Sequence, residues 1–173
     1  MKRIPKLINF ILPALLVITG CKKVFDIKPQ DQLDQTQAYQ NVYDADAAVV
    51  GIYGKFMGLA DRYVILNELR GDLLNYTINA DEALREISTH NVTAGNPYAN
   101  PRPFYELIIN CNDVLENFQV MLRDKKMTEG EFNQRYSDIG ALRSFLYLQL
   151  GIHFGEVPYV TSSLKNLDEV KNA

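Results

Sequence analysis

Two cysteines and two histidines are the side chains of this 173-residue sequence that best suit nucleophilic or metal chemistry. His90 and His153 lack the spacing to cysteines or acids that a zinc site needs. No Gly-x-Ser-x-Gly segment marks a hydrolase nucleophile. The acidic residues are numerous, and nothing singles out a catalytic pair of carboxylates. We therefore predict a protein that is not an enzyme, with no metal and no other cofactor.

Cys21 lies directly behind an apolar N-terminal segment. Residues 1–20 contain three basic residues and no acid, and residues 10–18 form an apolar run. Nine helical residues at about 1.5 Å each span roughly 14 Å, which is about half of the hydrocarbon core of a bilayer. The run is therefore too short to cross a membrane. A basic start followed by a short apolar run is typical of a secretory signal peptide.

The residues before Cys21 predict that its thiol is modified. The sequence Ile18-Thr19-Gly20-Cys21 resembles the bacterial lipobox, although leucine is usual where Ile18 stands. The resemblance implies that diacylglycerol is attached to Cys21 and that cleavage makes Cys21 the N-terminus. Acyl chains at this position would hold the protein on a membrane, because each buried methylene contributes about 0.8 kcal/mol. An ordinary signal peptide with a chance cysteine and an uncleaved anchor are the alternatives.

Removal of residues 1–20 changes the charge of the chain. The whole sequence has 18 basic and 21 acidic residues and a net charge of -3, so losing three basic residues leaves residues 21–173 at -6. An acidic body opposes binding to anionic lipid surfaces and to nucleic acids, which attract lysine and arginine. We expect the lipid to provide the membrane attachment, and we expect no nucleic-acid partner.

Lipidation of Cys21 leaves Cys111 as the only free thiol, so no intramolecular disulfide is expected. Cys111 lies in an apolar helical pattern, which predicts a buried and inert thiol rather than a nucleophile. Two further polar residues lie within the predicted long helices. Arg143 is expected to form an ion pair or helix-end hydrogen bonds, with an anion site as the alternative. Asn112 is expected to be a buried hydrogen-bonding link from a helix to a loop.

The mature sequence predicts a tether followed by helices. Residues 21–43 are polar without a sustained period, which favours an extended tether. Residues 44–58 have an apolar stripe at three- and four-residue steps and predict a helix capped by Asp44. Gly51 and Gly54 within it suggest a close approach to another helix.

The next part of the sequence is less clearly patterned. Residues 62–76 fit either a short helix or an extended segment, and residues 80–89 fit a short polar helix. A long helix is expected to start near Pro103, because proline suits the first turn.

The last predicted helix has the clearest boundaries. Thr128 and Glu131 form a capping box, Gly155 ends the helix, and residues 156–160 are expected to be extended. Only residues 123–127 separate the two long helices, so they should pack antiparallel. The prediction is a mainly α fold.

Four blocks, in order behind the lipobox, carry a resemblance to a known family. They are FDIKPQDQ (25–32), DAAVVGIY (46–53), FYELIINCNDVLE (104–116), and ALRSFLY (141–147) with FGEVPYV (154–160). Together they resemble the SusD/RagB family of outer-membrane lipoproteins of the Bacteroidetes. Family members continue well beyond the last block, so the resemblance implies a fragment or a truncated gene product.

The resemblance implies three regions: a lipoprotein signal peptide (1–20), a lipidated cysteine with its tether (21–43), and an incomplete N-terminal helical domain (44–173) with tetratricopeptide-repeat-like antiparallel helix pairs. It further implies a lipid-anchored protein of the outer membrane, at the cell surface. Such a protein binds a polysaccharide, oligosaccharide or other nutrient and works with a SusC-like TonB-dependent transporter. The alternative is a membrane-tethered helical scaffold that binds proteins without glycan.

No ligand-binding residue carries over from the family by motif, so the ligand contacts stay unknown. Sugars stack on aromatic faces, and Tyr63, Tyr76 and Tyr98 lie in the loop-rich stretch where such a face could be exposed. Ordinary packing of each ring is the alternative.

Overall fold

The computed structural model describes residues 38–164, and these form five α-helices with no strand among them. The mainly α prediction is confirmed. The predicted signal peptide and Cys21 lie outside the described residues. The helices are α1 (Val42–Met57), α2 (Ala60–Val64), α3 (Glu82–Ser88), α4 (Arg102–Arg123) and α5 (Glu129–Phe154).

Helix α1 begins two residues earlier than predicted because Asn41, not Asp44, caps it. The Asn41 side chain accepts hydrogen bonds from the backbone N–H groups of Tyr43 and Asp44. The Asp44 carboxylate accepts one in return from the Asn41 N–H at 3.1 Å, which completes a capping box. Just before the cap, the Tyr39 ring meets the edge of Phe118 with centroids 6.3 Å apart. The end of the predicted tether therefore contacts the helical body.

The glycines of α1 do not mark a helix–helix contact. A Cβ built on Gly51 or Gly54 would meet no atom within 4 Å among the described residues. The expectation of a close approach there is wrong, because both glycines lie on the exposed face of the helix. The buried side of α1 is instead set by Ala45 and Ile52.

Helix α2 continues into a π-helical turn at Ile65–Leu69. The Arg70 N–H donates to the Ile65 carbonyl at 3.2 Å, and the Leu73 N–H donates to the Glu68 carbonyl at 2.9 Å. Both hydrogen bonds span five residues, as in a π-helix. Residue 71 must be glycine here, because a Cβ would clash with the Asn67 carbonyl oxygen. The ambiguous segment 62–76 is thus helical only in its first half.

Helix α3 confirms the predicted short helix in residues 80–89. The Asp81 side chain caps it by accepting a hydrogen bond from the Leu84 N–H at 2.9 Å. Ile87 is the buried residue of this short helix. The loop that follows is fastened back by Asn96, whose amide donates to the Ala83 carbonyl and the Glu86 carboxylate at 2.9 and 2.8 Å.

The two long helices run antiparallel, as predicted. Phe104 contacts Phe154, Asn112 contacts Arg143, and Gln119 contacts Tyr136. Residues later in α4 therefore contact residues earlier in α5. The reciprocal Thr128–Glu131 capping box starts α5, and Gly155 ends it at φ 77° and ψ -125°, a conformation that favours glycine.

Helices α4 and α5 form the main packing interface, and α1 packs against both. Buried side chains of α1, α4 and α5 build one apolar core, to which Ile87 of α3 also contributes. Helix α2 has no buried residue, but the π-helical turn that follows it supplies Leu66 and Leu69. The largest enclosed members of the core are Phe104, Phe118, Ile87, Ile108, Met121, Ile139, Leu146 and Leu150.

Candidate ligand-binding site

Asn112 joins α4 to the extended segment after α5. Its side chain is fully buried, and its amide donates to the carbonyls of Val160 and Ser162, each at 3.0 Å. Its carbonyl oxygen accepts a hydrogen bond from the Arg143 guanidinium at 2.7 Å. The prediction of a buried helix-to-loop hydrogen bonder is confirmed. All three of these hydrogen bonds are made to other parts of the protein, which gives Asn112 a structural role.

Arg143 and Cys111 flank that junction. Within residues 38–164, Arg143 makes no ion pair, and its guanidinium donates to the Asn112 side chain in the middle of α4 rather than to a helix end. Burial raises the pKa of the Cys111 thiol to about 11, although the nearby Arg143 charge acts in the opposite direction. A thiol that stays protonated at neutral pH is a poor nucleophile. The prediction that Cys111 is buried is confirmed, and its lack of reactivity stays a prediction that the raised pKa supports.

Two tyrosine hydroxyls hold the segment after α5 along its length. The Tyr105 hydroxyl donates to the Pro158 carbonyl at 2.8 Å. The Tyr147 hydroxyl accepts from the Val160 N–H and donates to the Val160 carbonyl, both at 2.8 Å. These hydrogen bonds fasten the segment after α5, called the strap below, to α4 and α5.

Tyr63 and Tyr98 are part of the packed interior. The Tyr63 ring stacks on Phe145 at 5.2 Å with an 8° interplanar angle, and Phe56 meets its edge at 5.6 Å. Burial raises the pKa of Tyr63 far above its ordinary value. Tyr98 is half-buried against the core. Ordinary packing, the alternative given from the sequence, describes both rings.

Tyr76 is the tyrosine of the three that lines a concavity. The groove has a volume of about 430 Å³ and an apolar floor, with polar side chains around it. The floor is formed by Ile65, Leu69, Leu74 and Leu84, and the polar side chains are Asn75, Thr77 and Asn79.

Arg85 on α3 gives this groove its shape. Its guanidinium donates to the carbonyls of Ala80 and Ile78 at 3.0 and 2.7 Å, which pins the loop that carries Tyr76. The same group lies 5.4 Å from the centre of the Tyr76 ring, a cation–π distance. An apolar floor with a few amides and one aromatic ring suits a ligand that has both an apolar face and hydroxyl groups. No local pattern predicts the Arg85 contacts, because they depend on the conformation of the loop.

Comparison with protein-family models, with curated proteins and with solved structures finds no match to this chain. Across residues 38–164, none of the helices is both long enough and apolar enough to span a bilayer. Over that same range, no three histidine, cysteine or acidic side chains come together in a way that could hold a metal ion.

Proposed function

We propose that this protein is an outer-membrane lipoprotein of the SusD type, anchored through Cys21. In this proposal it binds a glycan or other nutrient and works with a SusC-like TonB-dependent transporter in uptake. The observation that carries the proposal is the ordered set of four family-like blocks behind a lipobox. Further support comes from Asn112 and Arg143, which belong to different blocks and meet at one junction with the strap of the last block.

The finer fold assignment is part of the same proposal. An antiparallel α4–α5 pair with α1 packed against both is compatible with tetratricopeptide-repeat-like helix pairs. We propose that this arrangement is the N-terminal portion of a SusD-like fold.

For the ligand contact we propose the groove beside Tyr76. One ring face is near the Arg85 guanidinium, and the groove offers amide and hydroxyl groups that could bond sugar hydroxyls. The apolar floor offers van der Waals contact to the C–H face of a sugar ring.

Labelling tests the anchor. In cells fed radioactive palmitate, the full chain should be labelled and the Cys21→Ala variant should not. Cys111→Ala is the matched control and should be labelled like the wild type, because its buried thiol is not the attachment site. Persistent labelling of Cys21→Ala would refute the lipoprotein assignment.

Affinity electrophoresis on polysaccharide gels tests glycan binding by the full chain. A binding polysaccharide should retard the wild type, and Tyr76→Ala should lose most of that retardation. Tyr43→Ala is the matched control, because Tyr43 is exposed on α1 and does not line the groove. Equal retardation of both variants would remove the groove from the proposal. Copurification of a large β-barrel protein with the full chain tests the proposed transporter partner.

A helical scaffold that binds proteins without glycan is the second candidate. One face of α5 supports it, because Phe145, Leu148 and Ile152 leave 37%, 58% and 57% of their surface exposed at helical spacing. Contiguous exposed apolar side chains often mark protein contacts. A stable protein partner combined with no retardation by any polysaccharide would favour this candidate.

A further inference from the structure

The two histidines of the sequence line the same cleft, although 63 positions separate them. The cleft has a volume of about 330 Å³ and is distinct from the Tyr76 groove. Arg70 follows the π-helical turn, His90 follows α3, and His153 lies in the last turn of α5. Three side chains that can carry positive charge thus converge from three separate parts of the chain.

The cationic groups of this cleft have donors to spare. Arg70 uses one guanidinium nitrogen for a long 3.4 Å hydrogen bond to the His153 carbonyl, and it forms none of the ion pairs found in residues 38–164. The His90 imidazole takes part in no hydrogen bond among these residues. His90 also has a φ of 57°, a left-handed conformation that is uncommon outside glycine.

No carboxylate lines the cleft within the described part of the chain. Its polar lining consists of Asn67, Arg70, His90 and His153, and the nearby Glu68 and Asp72 are not part of it. This is unusual in a chain whose residues 21–173 have a net charge of -6. Within residues 38–164, the Arg70 charge therefore faces no carboxylate in the lining of the cleft.

The environment of His153 reflects this imbalance. Its Nε2 lies 3.1 Å from the Gln149 side-chain oxygen, and its Nδ1 is buried with no hydrogen-bond partner in the described residues. Burial first, and then the Arg70 charge, lower the pKa of His153 below its ordinary value. The groups that face His153 are Arg70, Asn67 and His90 from the other elements and Gln149 from its own helix, and none of them is an acid.

We propose that this cleft binds an oxyanion, the carboxylate, sulfate or phosphate group of a small ligand. Arg70 and His90 would contact the anion, and His153 would add a second positive charge as it gains a proton. Charge-assisted hydrogen bonds from a guanidinium are among the strongest that proteins make to such groups. The proposal is independent of glycan binding at the Tyr76 groove.

Histidine NMR signals test this directly, because the chain contains only two histidines. The full chain, labelled with ¹³C at the histidine Cε1 positions, is titrated with sulfate and separately with acetate, replacing chloride at constant ionic strength. The expected result is a saturable shift of both histidine signals. Binding should strengthen as the pH falls, because protonation of His153 adds a positive charge beside the anion. A response to acetate alone would assign the site to carboxylates, and a response to sulfate would assign it to tetrahedral anions.

Variants separate a site from general ionic effects. Arg70→Gln should weaken binding about tenfold or more, the loss expected for one hydrogen bond to a charged group. Arg123→Gln is the matched control, because Arg123 is exposed and pairs with its neighbour Asp124. It should bind like the wild type.

Two results would overturn the proposal. One is a shift of the histidine signals that grows linearly with anion concentration and is the same in Arg70→Gln and the wild type. The other applies if Arg70→Gln fails to fold, since Arg70 also bonds the last turn of α5. His90→Gln then replaces it, and unchanged affinity read from the His153 signal would show that His90 does not contact the anion, which the proposal requires.

Discussion

Replacing Asn112 by alanine is expected to detach the strap that follows α5. The change removes the two hydrogen bonds to the Val160 and Ser162 carbonyls and the one from Arg143. Because Asn112 is fully buried, water cannot take over its place without opening the junction.

The expected loss follows from the three hydrogen bonds. Each neutral hydrogen bond contributes about 1 kcal/mol net, and one from a charged group contributes about 1.5–3 kcal/mol. Arg143 is half-buried, so water compensates part of the third hydrogen bond. We therefore expect the free energy of unfolding to fall by roughly 3 kcal/mol in Asn112→Ala, slightly below the summed range of about 3.5–5 kcal/mol.

Asn117→Ala is the matched control on the same helix. The Asn117 amide donates to the Asp113 carbonyl one turn earlier, and alanine is the better helix former, so its loss should stay below about 1 kcal/mol. Urea unfolding followed by circular dichroism measures both variants. Hydrogen exchange at the Val160 amide, which donates to the Tyr147 hydroxyl, reports on the strap itself.

Asn112→Ala should lower the free energy of unfolding and also reduce the protection of the Val160 amide from hydrogen exchange. If the loss is below about 1 kcal/mol, equals that of Asn117→Ala, and leaves the Val160 amide protected, Asn112 does not hold the strap. A large loss of stability with an equally protected Val160 amide would also contradict this role, because the loss would then arise outside the strap.

Two further predictions concern the core. Leu146→Ala should lower the free energy of unfolding by about 3–5 kcal/mol, because Leu146 is fully buried. Leu148→Ala should change it by less than about 0.5 kcal/mol, because Leu148 is 58% exposed. Similar losses for the two variants in urea unfolding would contradict the packing of α5. Cys111 should resist iodoacetamide in the native full chain at pH 8 and react in guanidinium, because a pKa of about 11 leaves about one thiol in a thousand ionised. Equal labelling in both conditions, measured by mass spectrometry, would contradict its burial.

The local features of the fold could be predicted because they depend on neighbouring residues. The Thr128–Glu131 capping box lies within one helical turn, and the turn at Gly155 needs only that residue's own backbone conformation. Such signals do not depend on the rest of the chain. The start of α1 was misplaced by two residues because Asn41 and Asp44 are both good caps, and their reciprocal hydrogen bonds decide between them.

The sites follow a different rule, because each depends on residues brought together from afar. Nothing in the spacing of His90 and His153 predicts that they share a cleft with Arg70. From the sequence alone the two histidines are unrelated. Tyr63 and Tyr76 are similar as sequence signals, yet one stacks on Phe145 and the other lines a groove.

The amino-acid sequence by itself determined the helical class, the antiparallel order of the two long helices and the buried state of Cys111. These follow from apolar periodicity, capping residues and a short connection, all of which act over a few turns of helix. Tertiary structure decided which faces stay exposed, which tyrosine meets a concavity and where positive charge gathers. Those outcomes depend on how helices pack, and packing joins side chains that no local pattern relates.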